Sequence, residues 1–313
     1  RGEEKVDAVV LISHNGMDVD LAMASRVSGI DVILGGHTHD GVPQPTPVKN
    51  SAGTTLVCNV GSNSKFLGVM DLDIRNGKVQ GFKYNLMPIF SEILPADPSM
   101  VALIDEIRAP YAGWLNEELA VADELMYRRG NFNGTFDQLI CDALTTVNDA
   151  QISLSPGFRW GTTVLKGQTI TMEHVLDQTS LTYPETYVRD MKGEELKLIL
   201  EDVADNIFNP EPYLQSGGDM VRVGGFNYVC DPSQHIGNRI SEMTLDDGTL
   251  IDAGKSYKVS GWATVGARSE GRDIWDVVAD YLRDSKVAKI DRLNTPLLKS
   301  VAGNPGLADY RRS

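Results

Sequence analysis

The fold of this chain is decided by two short stretches, VVLISHNG at residues 9–16 and VILGGHTHD at residues 32–40. Each begins with apolar residues that favour strands and ends in glycine and polar residues, a pattern typical of a buried parallel strand followed by a loop. Between them, residues 17–27 carry apolar side chains near helical spacing. The sequence therefore predicts a strand–helix–strand unit whose two polar ends meet at the carboxyl edge of one sheet, where open α/β sheets bind ligands.

Three histidines at that edge are candidate metal ligands: His14 follows the first strand, and His37 and His39 follow the second. Alternate residues of an extended stretch point the same way, so His37 and His39 are expected to serve one ion or two neighbouring ions. Imidazole suits zinc, manganese, iron or nickel. The alternative, a histidine that is only a satisfied polar group at a strand end, stays open for each of them.

The carboxylates that would complete a two-metal site are missing from this sequence. A dinuclear hydrolase site needs such groups to bridge the ions and balance their charge, and no Asp-x-His or Gly-Asn-His-Glu segment occurs. The sequence also opens on Arg1 and runs within a few residues into a buried strand. We therefore expect these residues to be the later part of a longer protein; a whole chain that uses only three histidines is the alternative.

The composition is typical of a globular enzyme of about two domains. The 313 residues carry a net charge of −14, which argues against nucleic acid or an anionic membrane surface as the main partner. No apolar run approaches the length of a membrane span. The three scattered cysteines, Cys58, Cys141 and Cys230, argue against a disulfide framework and structural zinc, so each is expected to be a small buried hydrophobic residue.

Three regions are predicted along the chain: residues 1–95, a connecting helix at 96–119, and residues 120–313. Asp97 is the expected N-cap of the connecting helix, with Pro98 as its first residue and a bend at Pro110. Further predicted elements are a hairpin turn at Asn76-Gly77, helices over 136–148 and from 192 to 203, and strands over 54–60, 66–74, 221–229, 242–245 and 257–262.

Motifs of both halves resemble the 5′-nucleotidase branch of the calcineurin-like metallophosphoesterases. SHNG and GGHTH resemble the last three metal-ligand positions of the metallophosphoesterase domain. SPGFRWG at 155–161 stands where that family's carboxyl domain has its substrate-arginine signature, and GGDMVRVGGF at 217–226 and YVCDP at 228–232 follow in the expected order. The resemblance implies an α/β plus α+β fold: the C-terminal part of a four-layer αββα metallophosphoesterase domain, followed by a 5′-nucleotidase C-terminal-type domain.

Within that superfamily, the long strings at residues 12–20, 155–161 and 217–225 are most similar to those of the SoxB thiosulfohydrolases. The resemblance implies two Mn²⁺ ions, with other divalent metals as alternatives, and a periplasmic location. It implies release of sulfate from a cysteine-bound S-sulfonate, a sulfonated persulfide, on the carrier protein SoxYZ. The remaining metal ligands and a catalytic Asn-His pair lie in the first half of that family, so the present residues alone are expected to be inactive.

The resemblance also assigns site residues. His14, His37 and His39 are the implied metal ligands, and Arg159 is the implied catalytic residue, with a forked donor suited to a tetrahedral oxyanion. The implied substrate-binding residues are Arg159, Arg222, Met220 and Trp262. For Arg222 the alternative is a surface position without a role in binding, and for Trp160 it is a position in the hydrophobic core. His174 and His235 are expected to be structural.

Two other functions stay open. A 5′-nucleotidase or related phosphoesterase would clamp a base between two aromatic rings, but the corresponding positions hold Met220 and Trp262. A methionine and one indole make a poor base clamp, whereas they suit a channel for a thin peptide arm. The second alternative is a non-catalytic module that docks a carrier, and the three histidines speak against it.

Overall fold

The computed structural model describes residues 3–128, 130–158, 161–264 and 269–303. The chain divides into two compact units, which are described separately below. The first unit contains residues 1–105 together with 209–217, and the second contains 106–208 and the residues from 218 onward. The return of 209–217 to the first unit has no signal in the linear pattern.

The first unit contains the predicted strand–helix–strand arrangement, which is confirmed. One sheet has the order β1-β2-β4-β3, in which β1, β2 and β4 are parallel and β3 is antiparallel to β4. The apolar face of α1 packs on this sheet around Ala24, Ile33 and Val57. The bounds are β1 Val10–Ile12, α1 Met17–Arg26, β2 Val32–Gly35, β3 Thr46–Asn50 and β4 Gly53–Asn59.

A long antiparallel hairpin completes the first unit. Its strands are β5 (Phe66–Arg75) and β6 (Lys78–Pro88), and Asn76 and Gly77 adopt φ of +53° and +70° between them. Two successive positive φ values match the tight turn predicted from this pair, so the prediction is confirmed. Alternate side chains of the hairpin pack with the buried residues of β2 and β4, as the period of two in a strand requires.

The connecting helix is shorter and more interrupted than predicted. Asp97 caps it as expected, because its Oδ1 accepts hydrogen bonds from the amides of Ser99 (2.9 Å) and Met100 (3.1 Å). Helix α2 (Pro98–Arg108) then ends, a tight turn covers Ala109–Tyr111, and α3 (Ala112–Leu115) follows. Pro110 is the physical reason, since its ring removes a donor and clashes with the preceding turn. The helical region therefore stops at 115 instead of 119.

The second unit is a mixed α/β domain, in which the described residues form three small sheets. Their strand orders are β10-β14-β8-β11, β13-β12-β16 and β15-β7-β9. Helix α4 packs on β8, β11 and α7. The predicted helices over 136–148 and 192–203 are confirmed as α4 and α6, although α6 continues to Phe208. The bounds are β7 Glu118–Ala122, α4 Thr135–Val147, β8 Ile152–Ser155, β9 Thr169–Thr171, α5 Met172–Thr179, β10 Thr186–Lys192, α6 Gly193–Phe208, β11 Arg222–Gly224, β12 Phe226–Cys230, β13 Ile240–Leu245, β14 Ser256–Trp262, α7 Ile274–Ser285, β15 Val287–Ala288 and β16 Leu297–Leu298.

The single strand predicted over 221–229 is wrong. The structure has two strands there, β11 and β12, which belong to different sheets. Gly225 separates them with φ of +81°, and a Cβ at this position would lie 2.2 Å from the carbonyl oxygen of Gln151. Only glycine fits this backbone conformation at so close an approach, so the chain turns at Gly225 from one sheet to the next.

All three cysteines are buried and free, which confirms the expectation for them. Burial raises the pKa of Cys58 to about 11 and that of Cys230 to about 12. Thiols with such pKa values carry almost no thiolate near neutral pH and are poor nucleophiles. They act as small apolar residues of the core.

Asp142 should make the stability of the second unit depend on pH. Burial raises its pKa to about 6 despite a hydrogen bond from Gln138, and the charges of Asp246 and Asp291 add to the rise. The unfolded carboxyl loses its proton first, so the free energy of unfolding should fall as pH rises from about 4 to about 6.

We expect Asp142→Asn to abolish that fall and to stabilise the protein at pH 8 by on the order of 1–3 kcal/mol. Asparagine keeps an acceptor for Gln138 without the buried charge. Denaturant unfolding at pH 3.5 and pH 8 measures the effect, because both proteins should have similar stability at the lower pH. A variant that keeps the wild-type pH dependence would show that Asp142 is not responsible.

Candidate metal centre and substrate segment

The two histidine motifs lie side by side at the carboxyl edge of the first sheet. Strands β1 and β2 pair in parallel up to Ile12 and Leu34, and the amide of Ser13 donates to the carbonyl of Leu34 at 2.9 Å. The rings of His14 and His37 consequently meet edge to face, with centroids 5.1 Å apart and planes at 66°. The structure thus brings together two imidazoles that are 23 positions apart in sequence.

His37 and His39 do not lie in an extended stretch, so the geometric reason given for their shared direction is wrong. Their φ values are +70° and +60°, in the left-handed region that residues other than glycine seldom adopt. The amide of Thr38 donates to the carbonyl of Gly36 at 2.9 Å, which makes His37 the centre of a γ-turn. Such backbone strain is concentrated at functional sites. A role of His37 and His39 as ligands stays a prediction.

Asn59 supports the histidine loop and was missed by the sequence reasoning. Its Nδ2 donates to the carbonyl of Gly36 at 3.2 Å and to the hydroxyl of Thr38 at 3.3 Å. The residue is buried, and its Oδ1 has no hydrogen-bond partner. A signal was present: Asn59 ends β4, which is parallel to β2 in register Gly35–Asn59. Residues at the carboxyl ends of parallel strands meet at one edge of the sheet, and this rule applies to Asn59 as it does to the histidines.

Asp20 is a second buried polar residue near this edge. Its Oδ1 accepts a hydrogen bond of 2.6 Å from the hydroxyl of Ser13, and its Oδ2 has no partner. Burial raises the pKa of Asp20, against the lowering effect of hydrogen bonds from Ser13 and Asn15. Asp20 therefore holds the residue that precedes His14.

The residues of this edge fit part of a metal site. Paired imidazoles and an amide oxygen without a partner are donors that a borderline divalent cation accepts. Within the described ranges, however, no group of three or more His, Cys, Asp or Glu side chains is arranged to hold a metal ion. The donors described at this edge are mainly nitrogen atoms of imidazoles, and the expectation that further ligands come from other residues stays a prediction.

A segment from far along the chain packs against His37. Residues 209–217 belong to the first unit, where Arg26 of α1 lies 4.7 Å from the Tyr213 ring centroid and 3.4 Å from the Glu211 carboxylate. At the end of this segment Gly217 has φ of +80°, and a Cβ there would lie 2.0 Å from Nε2 of His37. The position next to the His37 ring therefore has no room for a side chain.

In the second unit, the motif expected to bind substrate, residues 155–161, begins at the end of β8. We call residues 155–158 the substrate segment. Trp262 donates from Nε1 to the hydroxyl of Ser155 at 2.9 Å, and its ring meets that of Phe158 edge to face at 6.2 Å. Trp262 is 4% exposed. The structure therefore shows Trp262 as a core residue that contacts the substrate segment, and a direct contact with substrate stays a prediction.

Arg222 and Met220 are also buried. Arg222 has no exposed surface, so the alternative of a plain surface arginine is wrong. Its side chain forms ion pairs with Asp137 (3.4 Å) and Asp219 (3.3 Å). Met220 is 0% exposed in the core around β11 and β12. Both residues have packing roles here, and their expected contact with substrate remains a prediction.

His174 and His235 are the two histidines outside the first unit, and neither is an expected metal ligand. His174 caps helix α5, because its Nδ1 accepts a hydrogen bond from the amide of Thr171 at 3.1 Å, which agrees with a structural role. His235 is exposed in a turn. Arg159 and Trp160 lie outside the described residues.

The fold and the arrangement of these motifs define a class of hydrolase. The family model "5′-nucleotidase, C-terminal domain" matches residues 119–280, just over half of the chain. The chain belongs to the 5′-nucleotidase family.

Three similar proteins refine this result. The solved structure of the sulfate thiohydrolase SoxB from Thermus thermophilus is 35% identical with a TM-score of 0.86, covering 94% of this chain and 55% of that one. A 5′-nucleotidase precursor from the same species shares the fold, at 23% identity, a TM-score of 0.79 and coverage of 95% and 65%. The trifunctional nucleotide phosphoesterase YfkN of Bacillus subtilis is 28% identical over 87% of this chain and 19% of its own length.

These likenesses confirm the expected resemblance to SoxB within the 5′-nucleotidase superfamily and the expected fold class. The chain spans about half the length of the SoxB structure and about a fifth of the Bacillus protein. Among the helices that the structure describes, each is too short or too polar to cross a bilayer.

Proposed function

We propose that this chain is part of a hydrolase that releases sulfate from a cysteine-bound S-sulfonate on the SoxYZ carrier. The observation that carries the proposal is the 35% identity to a sulfate thiohydrolase over 94% of the chain. Methionine at position 220 supports it, because a nucleotidase that stacks a base between two rings needs an aromatic residue there.

The reaction is a hydrolysis at sulfur. The oxygen of water bonds to the sulfonate sulfur as the bond between that sulfur and the persulfide sulfur breaks, and the products are sulfate, the persulfide of the carrier and the two protons of water. The carrier keeps a persulfide anion, which is a good leaving group and needs little help from an acid. Arg159 neutralises the oxyanion charge that grows in the transition state, because a guanidinium presents two parallel donors to two oxygens.

His14, His37 and His39 would hold the metal, for which we propose two Mn²⁺ ions. A bound divalent ion lowers the pKa of water and polarises the oxyanion. The task of this chain's own residues is to keep the imidazoles in place. The γ-turn at His37 and the hydrogen bonds from Asn59 to Gly36 and Thr38 do so in the described structure.

The test uses the full-length protein that contains this chain, with sulfonated SoxYZ and AMP offered in parallel. We expect about two manganese ions per chain and release of sulfate without release of phosphate. His37→Ala should lower sulfate release about 100-fold or more, because it removes a ligand. His235→Ala is the matched control, since this exposed histidine should leave both rate and metal content unchanged.

Phosphate from AMP without sulfate from the carrier would overturn the proposal in favour of a 5′-nucleotidase. The name of the Bacillus relative, a nucleotide phosphoesterase, supports that second candidate. Binding of SoxYZ with neither activity nor metal would instead identify a docking module. A periplasmic location, proposed with the carrier, is tested by fractionating cells.

A further inference from the structure

Four charged side chains of the second unit form a buried group that the proposed reaction does not use. The guanidinium of Arg128 lies 2.7 Å from Oδ1 of Asp137, and that of Arg222 lies 3.4 Å from the same oxygen. Arg222 also pairs with Asp219 at 3.3 Å. Each of these side chains is at most 1% exposed. We call these four residues the buried charge cluster.

The cluster contributes hydrogen bonds to the backbone of the substrate segment. Nη2 of Arg128 donates to the carbonyl of Pro156 at 2.9 Å, and Nη2 of Arg222 approaches the carbonyl of Phe158 at 3.4 Å. The guanidinium of Arg128 also lies over the Phe158 ring, 5.3 Å from its centroid. Both arginines thus contact the peptide that leads directly into Arg159.

The opposite side of the same segment is equally enclosed. Ser155 is held by Trp262, and the Phe158 ring packs against the same indole. Gly157 has no room for a side chain, because a Cβ there would lie 2.4 Å from the carbonyl oxygen of Met220. Every residue from 155 to 158 therefore has a fixed neighbour.

Stability alone does not account for the cluster. A buried ion group gains little over well-packed apolar residues of the same volume, because each charge loses its hydration. A buried guanidinium does offer several donors in a fixed plane, which suits it to hold two separate stretches of backbone at once. Arg128 does this here, since Nη1 donates to the carbonyl of Gln178 at 2.5 Å while Nη2 donates to that of Pro156 at 2.9 Å.

We propose that Arg128, Asp137 and Arg222 are positioning residues for substrate binding, which fix the backbone of residues 156–158, the peptide that immediately precedes Arg159 in the sequence. Asp137 accepts a hydrogen bond from Arg128, which in turn holds the carbonyl of Pro156. Asp137 also forms a longer ion pair with Arg222, whose Nη2 contacts the carbonyl of Phe158. The inference rests on the role that the proposed function gives to Arg159. In this inference Arg222 does not touch the substrate but acts on its binding through the backbone of residues 156–158.

A double-mutant cycle in the full-length protein tests this inference. Arg222→Lys keeps the charge, but its shorter side chain leaves no donor at the place of Nη2, which contacts both Gly130 and Phe158. We expect kcat/KM for sulfonated SoxYZ to fall about 10-fold, mainly through KM. In an Arg159→Ala background, the same change should have an effect of less than about twofold, because the residue through which it acts is gone. Calorimetric titration with inorganic sulfate should show the same non-additive pattern without turnover.

Phe158→Leu provides a second variant in case Arg222→Lys does not fold. It removes the ring between Arg128 and Trp262 and should also raise KM. Phe226→Leu is the matched control, because this fully buried ring packs with Tyr228, outside the substrate segment. The control should lower the melting temperature more than Phe158→Leu does and leave KM unchanged.

Additive effects of Arg222→Lys and Arg159→Ala, in turnover and in sulfate binding, would overturn the positioning role. An unchanged KM and sulfate affinity in Arg159→Ala would overturn both the role of Arg159 and this inference. If the protein cleaves AMP and not the carrier, yet the same non-additive pattern appears with AMP, the proposed substrate is wrong and the positioning role is supported.

Discussion

Gly217→Ala is expected to weaken manganese binding by about 10- to 100-fold, the range seen when the support of a metal ligand is lost. The new methyl carbon would lie 2.0 Å from Nε2 of His37 and 2.8 Å from its Cδ2. These distances are far below van der Waals contact, so the ring or the segment has to move. Because His37 sits in a strained γ-turn with φ of +70°, the ring is expected to leave its place beside His14.

The matched control is Gly218→Ala, one residue further along. Gly218 has a similar φ of +98°, whereas Gly217 has +80°, so alanine is strained at both positions. A Cβ at Gly218, however, meets no atom within 4 Å. Titration of the metal-free full-length protein with Mn²⁺ should separate the two variants, with wild-type affinity in Gly218→Ala. Equal loss in both would attribute the effect to backbone strain and not to His37.

Asp137→Ala is expected to reduce the free energy of unfolding by about 3–5 kcal/mol, because it leaves the buried guanidinium of Arg128 without its carboxylate partner and that of Arg222 with Asp219 alone. Arg128 and Arg222 cannot turn to water, since neither side chain has any exposed surface. The substitution also removes a cap from helix α4, where Oδ2 of Asp137 accepts a hydrogen bond of 2.8 Å from the amide of Gly134. The melting temperature should fall by about 10 °C or more.

Asp149→Asn is the control for this prediction, because Asp149 has φ of +48°, a conformation that asparagine tolerates better than alanine. Asp149 also pairs with a basic side chain, Lys258 at 2.8 Å, but its own side chain is 99% exposed. Exposed pairs contribute about 1 kcal/mol or less, so this variant should melt within about 3 °C of the wild type. Thermal unfolding followed by circular dichroism compares the two. A similar small shift for Asp137→Ala would mean that the buried guanidiniums find other partners or water.

The sequence predicted the elements whose signals are local. Strands β1 and β2, helix α1 and the hairpin turn at Asn76-Gly77 were predicted correctly. The spacing of apolar residues and the residue types that favour a turn are features of neighbouring residues in the sequence. The placement of His14 beside His37 followed from the rule that parallel strands end at one edge. The same rule applied to β4 would have predicted Asn59.

Where local signals were ambiguous, the predictions were less accurate. Residues 221–229 have the apolar character of one strand, yet Gly225 divides them because Gln151, distant in sequence, leaves no room for a side chain. The helix after Pro98 was extended to 119, although Pro110 interrupts it and the helical region ends at Leu115. In both cases one residue with special backbone geometry ended the element.

The sequence by itself determined the class of protein, the position of the histidines at one edge of the sheet and the likeness to SoxB. Motifs and local periodicity depend only on the order of the residues, so they can be read without the structure. Only the tertiary structure decided which polar side chains are buried. It placed Arg222 in the buried charge cluster, beside Asp137, and Gly217 against His37, and these two pairs lie 85 and 180 positions apart in the sequence. The physical reason is that burial and charge pairing depend on neighbours brought together by folding, which no local pattern records.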